Sequence, residues 1–382
     1  MNSGINMERV KKENRSLILK YINDKGPVSR VDIAEATGLT AASVTQITTA
    51  LIKEKTLFEV GVSSESTGTA GRKKILLDLN PDAAWIISVN IESQTTTVAI
   101  CNSKGDIVGG RIRQIPTDKK AGYKKFLFLV ADICINLATD LKPKQRKHLT
   151  CISVGVPGIV DKENGISVHA YGIWKEPVEV VKILSERTSL PVILDNNVNA
   201  FSTAEILFGT GRSFDSLLVI KWGPGVGSTI VVNKKVYEGR HGKTAELGHF
   251  IVEKGGKKCS CGRRGCLETL LSYKELQKTA HFLPEEFGKV YETSKGAVKK
   301  SFDNAIDLFA RSIVNTGTII APNRIVLSGS LFGSQIVRNK LIECCKEYDP
   351  AYNENRICYT ALSDKESYIG PVAVYLERFL YT

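Results

Sequence analysis

The chain has 382 residues, with 52 Lys+Arg against 40 Asp+Glu and a net charge of +12. That length exceeds one ordinary domain, and the mixed composition excludes a disordered or fibrous chain. No run of about 18 apolar residues offers a membrane span, the first sixteen residues lack the apolar segment of a secretion signal, and the cytosol is the expected location.

The nine cysteines are odd in number and irregularly spaced, which excludes a disulfide framework. The positive charge points only weakly to an anionic partner. Residues 1–80 hold 12 Lys+Arg against 9 Asp+Glu, so the excess is spread along the chain.

Residues 14–23, "NRSLILKYIN", place Leu17, Ile18, Tyr21 and Ile22 on one helical face, and "DKGP" ends that pattern. Ser29 is positioned to cap a short helix carrying Val31, Ile33 and Ala34; Gly38 ends it, and Thr40 caps the next. In that next helix Val44, Ile47, Thr48 and Leu51 share one face. The opposite face holds Ala42, Thr45, Gln46, Thr49 and Lys53, with no acid before Glu54. A small, polar, acid-free face suits a major groove, where an amide and hydroxyls read base edges. A strand over Leu57–Val62, a Ser/Thr/Gly-rich stretch 63–71 and a strand over Ile75–Leu79 follow. Residues 1–80 thus form a winged helix-turn-helix, expected to stand as a separate module, with Arg72 and Lys73 at the root of the wing meeting phosphates. The competing reading is a helical packing module without DNA.

From Trp85 strands and helices alternate, with glycine-rich or polar turns after the strands. Examples are "CISVGVPGIVD", "PVILDNNVNAFSTAEILFG" and "SLLVIKWGPGVGSTIVV". This predicts an α/β fold with sites at strand ends. We divide it into a first lobe, 81–199, completed by a C-terminal helix over 365–382, and a second lobe, 200–364.

Within "CSCGRRGCLE" the spacing is Cys259-x-Cys261-x4-Cys266, and His249 lies ten positions upstream. Three thiolates and an imidazole make a closed tetrahedral zinc site, structural because no coordination position stays open. The competing reading is three unligated thiols in a turn. A zinc-bound imidazole has its second ring nitrogen fixed as an oriented donor. Glu246 and Glu268 flank the cluster, so the metal would organise two carboxylates and one imidazole N–H around the vicinal hydroxyls of a sugar.

"GVPGIVD" (155–161), "DNNVNAFSTAE" (195–205), "GPGVGS" (223–228), "AELGH" (245–249) and the cysteine motif resemble the ROK family of bacterial repressors and sugar kinases. The resemblance covers about residues 84–382, and the helix-turn-helix ahead of it matches the repressor branch. It implies a two-lobed, actin-like, ribonuclease-H-like sugar-kinase fold. Asn196, Asn197, Glu246, His249 and Glu268 would then line a sugar pocket, and His249, Cys259, Cys261 and Cys266 would hold zinc. Asp161 and Trp174 are further pocket candidates, with a core position the competing reading for Trp174. The family's kinases carry Asn-Asp-Ala-Asn, whose Asp is the general base. Here Asn197 stands in that place, and an amide cannot take the hydroxyl proton. The family's first phosphate loop is replaced by Asn90-Ile91-Glu92-Ser93-Gln94-Thr95. The resemblance therefore implies a non-catalytic, sugar-responsive transcriptional repressor that binds double-stranded operator DNA as a homodimer or tetramer. The rivals are an ATP-dependent sugar kinase with a DNA-binding appendage and a zinc-stabilised scaffold without ligand.

Overall fold

Three helices, α1 (Met7–Lys25), α2 (Arg30–Thr37) and α3 (Ala41–Lys53), pack with a small antiparallel sheet in the computed structural model. The structure describes residues 7–62, 74–239 and 244–381. The sheet has the order β1 (Val28–Ser29), β3 (Ile75–Leu79), β2 (Leu57–Val62). Arg72, Lys73 and the expected wing tip lie outside the described residues.

The local signals for these helices act as expected. The Ser29 side chain accepts the Asp32 N–H while the Asp32 carboxylate accepts that of Ser29, a reciprocal cap. Gly38 closes α2 in the left-handed conformation, and the Thr40 hydroxyl accepts the Ser43 N–H to start α3. The buried face of α1 differs from the expected one. Ile18, Leu19 and Ile22 are inside, whereas Leu17 is 44% exposed. The run "LIL" supports either phase, and packing against the rest of the chain selects the one containing Leu19.

The remainder is built on two five-stranded sheets. The first has the order β10 (Val192–Asn196), β7 (Leu149–Val156), β4 (Trp85–Ile91), β5 (Thr95–Cys101), β6 (Ile107–Pro116). The second has the order β13 (Lys235–Val236), β12 (Val226–Val232), β11 (Leu217–Trp222), β14 (Arg324–Ser328), β15 (Ile357–Tyr359). In each, three consecutive strands form an antiparallel meander, and its first strand pairs in parallel with a later one, which pairs in parallel with a fifth. The two halves therefore repeat one topology without a visible sequence repeat. A short hairpin of β8 (Ile159–Asp161) and β9 (Ile166–His169) follows β7.

Strand parity sets the layers. On the first sheet, Ile87, Val89, Val98, Ile152 and Leu194 face α4 (Tyr123–Thr139) and α6 (Val180–Thr188) in one core. Their neighbours Ile86, Ala99 and Cys151 face the other way, toward α7 (Asn197–Leu207) and α13 (Ile369–Tyr375). On the second sheet, Leu217, Val219 and Val326 also face α7 and α13. Leu218, Ile220, Trp222, Ile325 and Leu327 face a separate core with α11 (Gly296–Ile320) and α12 (Gln335–Tyr348). The pair α7 and α13 is thus a middle layer between the sheets, buried on both sides as a helix with apolar residues all round must be.

The N-terminal module is not separate, contrary to expectation. Ile18, Leu19, Ile22, Leu57 and Leu79 share one continuous core with Phe201, Leu207 and Leu376. Polar contacts reinforce the docking: Lys20 pairs with Glu377 at 3.2 Å, and Asp24 pairs with Arg212 at 3.2 Å. Among the described residues no helix is long and apolar enough to cross a membrane.

Candidate ligand cavity and metal centre

The sheets direct the ends of four strands into one cavity of about 640 Å³. Glu92 follows β4, Pro157 and Gly158 follow β7, Asn196 ends β10, and Gly223 follows β11, all on its wall. This is where an α/β architecture places a ligand, beyond the carboxyl ends of its strands.

His249, Cys259, Cys261 and Cys266 meet beside this cavity, with their donor atoms all within 4.8 Å of one another. His249 Nδ1 lies 3.5 Å from Cys259 Sγ, and Cys261 Sγ lies 3.7 Å from Cys266 Sγ. Metal–sulfur bonds of about 2.3 Å and a metal–nitrogen bond of about 2.0 Å at tetrahedral angles require about 3.5 Å between N and S and about 3.8 Å between sulfurs. The two separations suit such a site, and the four residues could hold a metal ion. Gly265 makes the turn possible. Its φ is +71°, and a Cβ there would overlap the Glu253 carbonyl oxygen.

A 3₁₀ turn over Leu247–His249 presents Glu246 and His249 together. Gly248 lets this turn lie against β12, because a Cβ would overlap the Val226 carbonyl oxygen. Ser228 braces it, donating its hydroxyl to the Ala245 carbonyl and accepting the Leu247 N–H. Ala245 itself is held at φ 53°, a strained conformation for a non-glycine residue at the edge of a site. With Nδ1 on the metal side, His249 turns Nε2 toward Glu246, 3.6 Å from its carboxylate. Burial, then the Arg263 charge, push the His249 pKa down to about 4, so the imidazole is neutral.

Glu268 reaches the cavity from α8 (Glu268–Leu271), directly after the cysteine loop. One carboxylate oxygen accepts the Val226 N–H at 3.1 Å. Burial pushes its pKa up, and the Val226 hydrogen bond offsets part of that rise. Asn196 and Asn197 also line the cavity, but they differ in availability. Asn196 caps α7, its oxygen accepting the N–H groups of Val198 and Asn199 and its NH₂ donating to the Gly158 carbonyl. The Asn197 amide has no hydrogen-bond partner among the described residues. Glu246, His249, Glu268, Asn196 and Asn197 are therefore brought together.

The two further pocket candidates are not on the cavity wall. Trp174 is buried in the core, its indole N–H donating to the Ser167 hydroxyl at 3.1 Å. Asp161 turns its carboxylate to the backbone and side chain of Asn164. One aromatic that sequence reasoning missed is Tyr171, which lines the cavity and meets the His249 ring edge-on at 5.1 Å. Its only signal was its position beside Gly172, shortly after the β8–β9 hairpin.

The wall also carries an ionic bridge between the sheets. Lys221, near the end of β11, pairs with Glu92, after β4, at 2.5 Å and with Glu366 at 2.9 Å. Glu366 in turn accepts the Ser328 hydroxyl at 2.8 Å. Burial alone pushes the Lys221 pKa down, but Glu366 and Glu92 outweigh it and hold it above the ordinary lysine value.

At the other end of the molecule, Ala42, Thr45, Gln46, Thr49 and Lys53 lie on the exposed face of α3. Val44, Thr48 and Leu51 are buried on its inner face.

Residues 87–378 match the ROK family. The chain belongs to that family. This ROK protein is 30% identical over 270 residues to a xylose repressor of Bacillus subtilis strain 168, spanning 71% of this chain and 68% of that repressor. It is 25% identical to the DNA-binding transcriptional dual regulator NagC of Escherichia coli K12, over 97% of this chain and 93% of that one. A solved ROK family transcriptional regulator, a homolog of the E. coli MLC protein, matches with a TM-score of 0.76 at 23% identity over 97% of both chains. A ROK family glucokinase from Streptomyces griseus, solved with glucose and AMPPNP, matches with a TM-score of 0.65 at 19% identity. That kinase spans 76% of this chain and 99% of its own. The structural matches establish the two-lobed, actin-like fold of this ROK protein.

Proposed function

We propose that the chain is a sugar-responsive, DNA-binding transcriptional repressor of carbohydrate-utilisation genes. The observation that carries this reading is the meeting of Glu246, His249 and Glu268 at one cavity, in a chain whose first eighty residues present an exposed, acid-free helix face. Two carboxylates accept hydrogen bonds from vicinal hydroxyls, the imidazole Nε2–H donates one, and the free amide of Asn197 does either. Tyr171 supplies an apolar wall for a ring face.

His249, Cys259, Cys261 and Cys266 would hold zinc, the metal suited to three thiolates and one imidazole in a closed site. Its contribution is structural: it fixes the tautomer of His249 and the path of the chain into Glu268. One relative is named a xylose repressor, and another, of Escherichia coli O6:H1 and 25% identical, an N-acetylglucosamine repressor, so a sugar of that kind, or a derivative of one, is the ligand. Ala42, Thr45, Gln46, Thr49 and Lys53 would face the major groove, with Arg72 and Lys73 on phosphates. A homodimer would read two half-sites of double-stranded operator, and ligand binding would lower operator affinity by favouring one arrangement of the lobes. The lobes are taken to divide near residue 200, with the N-terminal module ending near 80.

Catalysis is not part of this reading. Asn197 cannot serve as a general base, and Glu92, held by Lys221, stands on the cavity wall after β4. The test is a coupled assay with hexoses, pentoses and ATP run beside calorimetry with the same sugars. Binding without turnover is expected; turnover above background would replace the repressor with a kinase.

A further inference from the structure

A ligand in the cavity must be felt by α3, and the middle layer offers a route. Helix α7 starts at the cavity and ends at the N-terminal module. At its start, Asn196 caps the helix and holds the Gly158 carbonyl, while Asn197 faces the ligand space. Asn199, one turn in, accepts the Thr229 hydroxyl at 2.9 Å and so ties the helix to the second sheet. At its end, the Leu207 carbonyl accepts the side-chain amide of Asn23, on α1, at 2.6 Å. The eleven residues between span about 16 Å.

The helix is built to move as one piece. Ala200, Phe201, Ser202, Ala204, Glu205, Ile206 and Leu207 are all buried between the sheets. Gly370 of α13 fits closely against it, where a Cβ would stand 2.9 Å from the Phe201 nitrogen. Glu205 is fully buried and accepts the Thr210 N–H at 2.9 Å and the Thr360 hydroxyl, which fastens the far end of the helix to the segment after it. That segment carries Arg212, whose guanidinium holds Asp24 of α1 at 3.2 Å and whose Nε donates to the Gly209 carbonyl. A close-packed element of this kind shifts as a unit rather than deforming along its length.

We infer that α7 transmits ligand occupancy to the DNA-binding module, and that Asn23 and the Asp24–Arg212 pair are the positioning residues that couple the two. This rests on the repressor reading. None of the three residues lines the cavity or lies on the outer face of α3. Each acts through α7, so their removal leaves both binding reactions and severs their linkage. Spatial continuity alone does not establish such a route; a change in coupling free energy does.

The experiment uses the full chain, a labelled DNA fragment flanking its own gene, and xylose and N-acetylglucosamine as probes. Three quantities are read for each variant: DNA affinity without sugar, sugar affinity without DNA, and the ratio of DNA affinities with and without sugar. In the wild-type chain the ratio is expected to differ from one by about 5- to 150-fold. In Asn23→Ala and in Arg212→Asp the two separate affinities stay within about 3-fold of wild type, while the ratio moves toward one. The charge-swapped double variant Asp24→Arg with Arg212→Asp regains the ratio, which shows that the pair rather than either residue alone carries it; a purely structural lesion would instead lower the two separate affinities. A wild-type response kept in full by the single variants overturns the coupling role and leaves the repressor reading standing. A wild-type chain that binds DNA indifferently to both sugars overturns the two together.

Discussion

Replacing Glu268 by Gln separates ligand recognition from stability. One oxygen of Glu268 accepts the Val226 N–H at 3.1 Å, and the amide oxygen of Gln can keep that bond. The other position, turned to the cavity, changes from a charged acceptor into an NH₂ donor. A hydrogen bond to a charged group is worth about 1.5–3 kcal/mol, so a sugar hydroxyl donated to Glu268 loses that amount. The expected result is a dissociation constant about 10- to 150-fold weaker for the sugar that the wild-type chain binds. Stability should not fall with it. Burial already pushes the Glu268 pKa up, so the ionised carboxylate is unfavourable in the folded chain and a neutral amide relieves that cost. Calorimetry gives the affinity, and thermal unfolding of the ligand-free protein gives the stability. Unchanged sugar affinity would remove Glu268 from the receptor. A large drop in Tm with a proportionate loss of binding would make its role structural.

Gln46→Ala should weaken binding to the specific DNA by about 1–3 kcal/mol, read by fluorescence anisotropy, if the amide reads a base; unchanged affinity takes Gln46 off the reading face. Cys261→Ser should lower the metal content and the sugar response before DNA binding declines, and the reverse order in the two titrations contradicts the site's placement. Gly265→Ala forces a left-handed alanine against the Glu253 carbonyl, so elemental analysis should find substoichiometric metal. Lys221→Met leaves Glu92 and Glu366 facing each other without their cation, and denaturant unfolding should register a loss of about 3–5 kcal/mol; no loss would mean that the bridge does not hold the sheets.

Features encoded by neighbours in the chain were legible before the structure. The caps at Ser29, Gly38 and Thr40 each depend on residues within a few positions. The meeting of His249 with the three cysteines depends on a spacing, as does the grouping of Glu246 with His249 on one short turn. Features decided by distant partners were not legible. The phase of α1 turned on Leu17 against Leu19, two equally apolar choices separated only by where α1 docks. The bridge from Glu92 through Lys221 to Glu366 joins three charges from three parts of the chain, none distinctive alone. The independence expected of the N-terminal module failed for the same reason: Asn23 and Asp24 look like an ordinary helix end until Leu207 and Arg212 are placed against them. The repeated topology of the two sheets left no sequence trace, because corresponding strands carry different apolar side chains, to one shared layer and to two separate outer cores.

The central claim is that a polyol held by Glu246, His249 and Glu268 changes the grip of α3 on DNA. Anisotropy titration of a labelled fragment flanking the gene, with xylose or N-acetylglucosamine absent and at saturation, tests it most directly. The account predicts tight binding that weakens at least about 5-fold with one of these sugars in the wild-type chain and not in Glu268→Gln. A response of equal size in both proteins, or DNA affinity untouched by sugar, would contradict it.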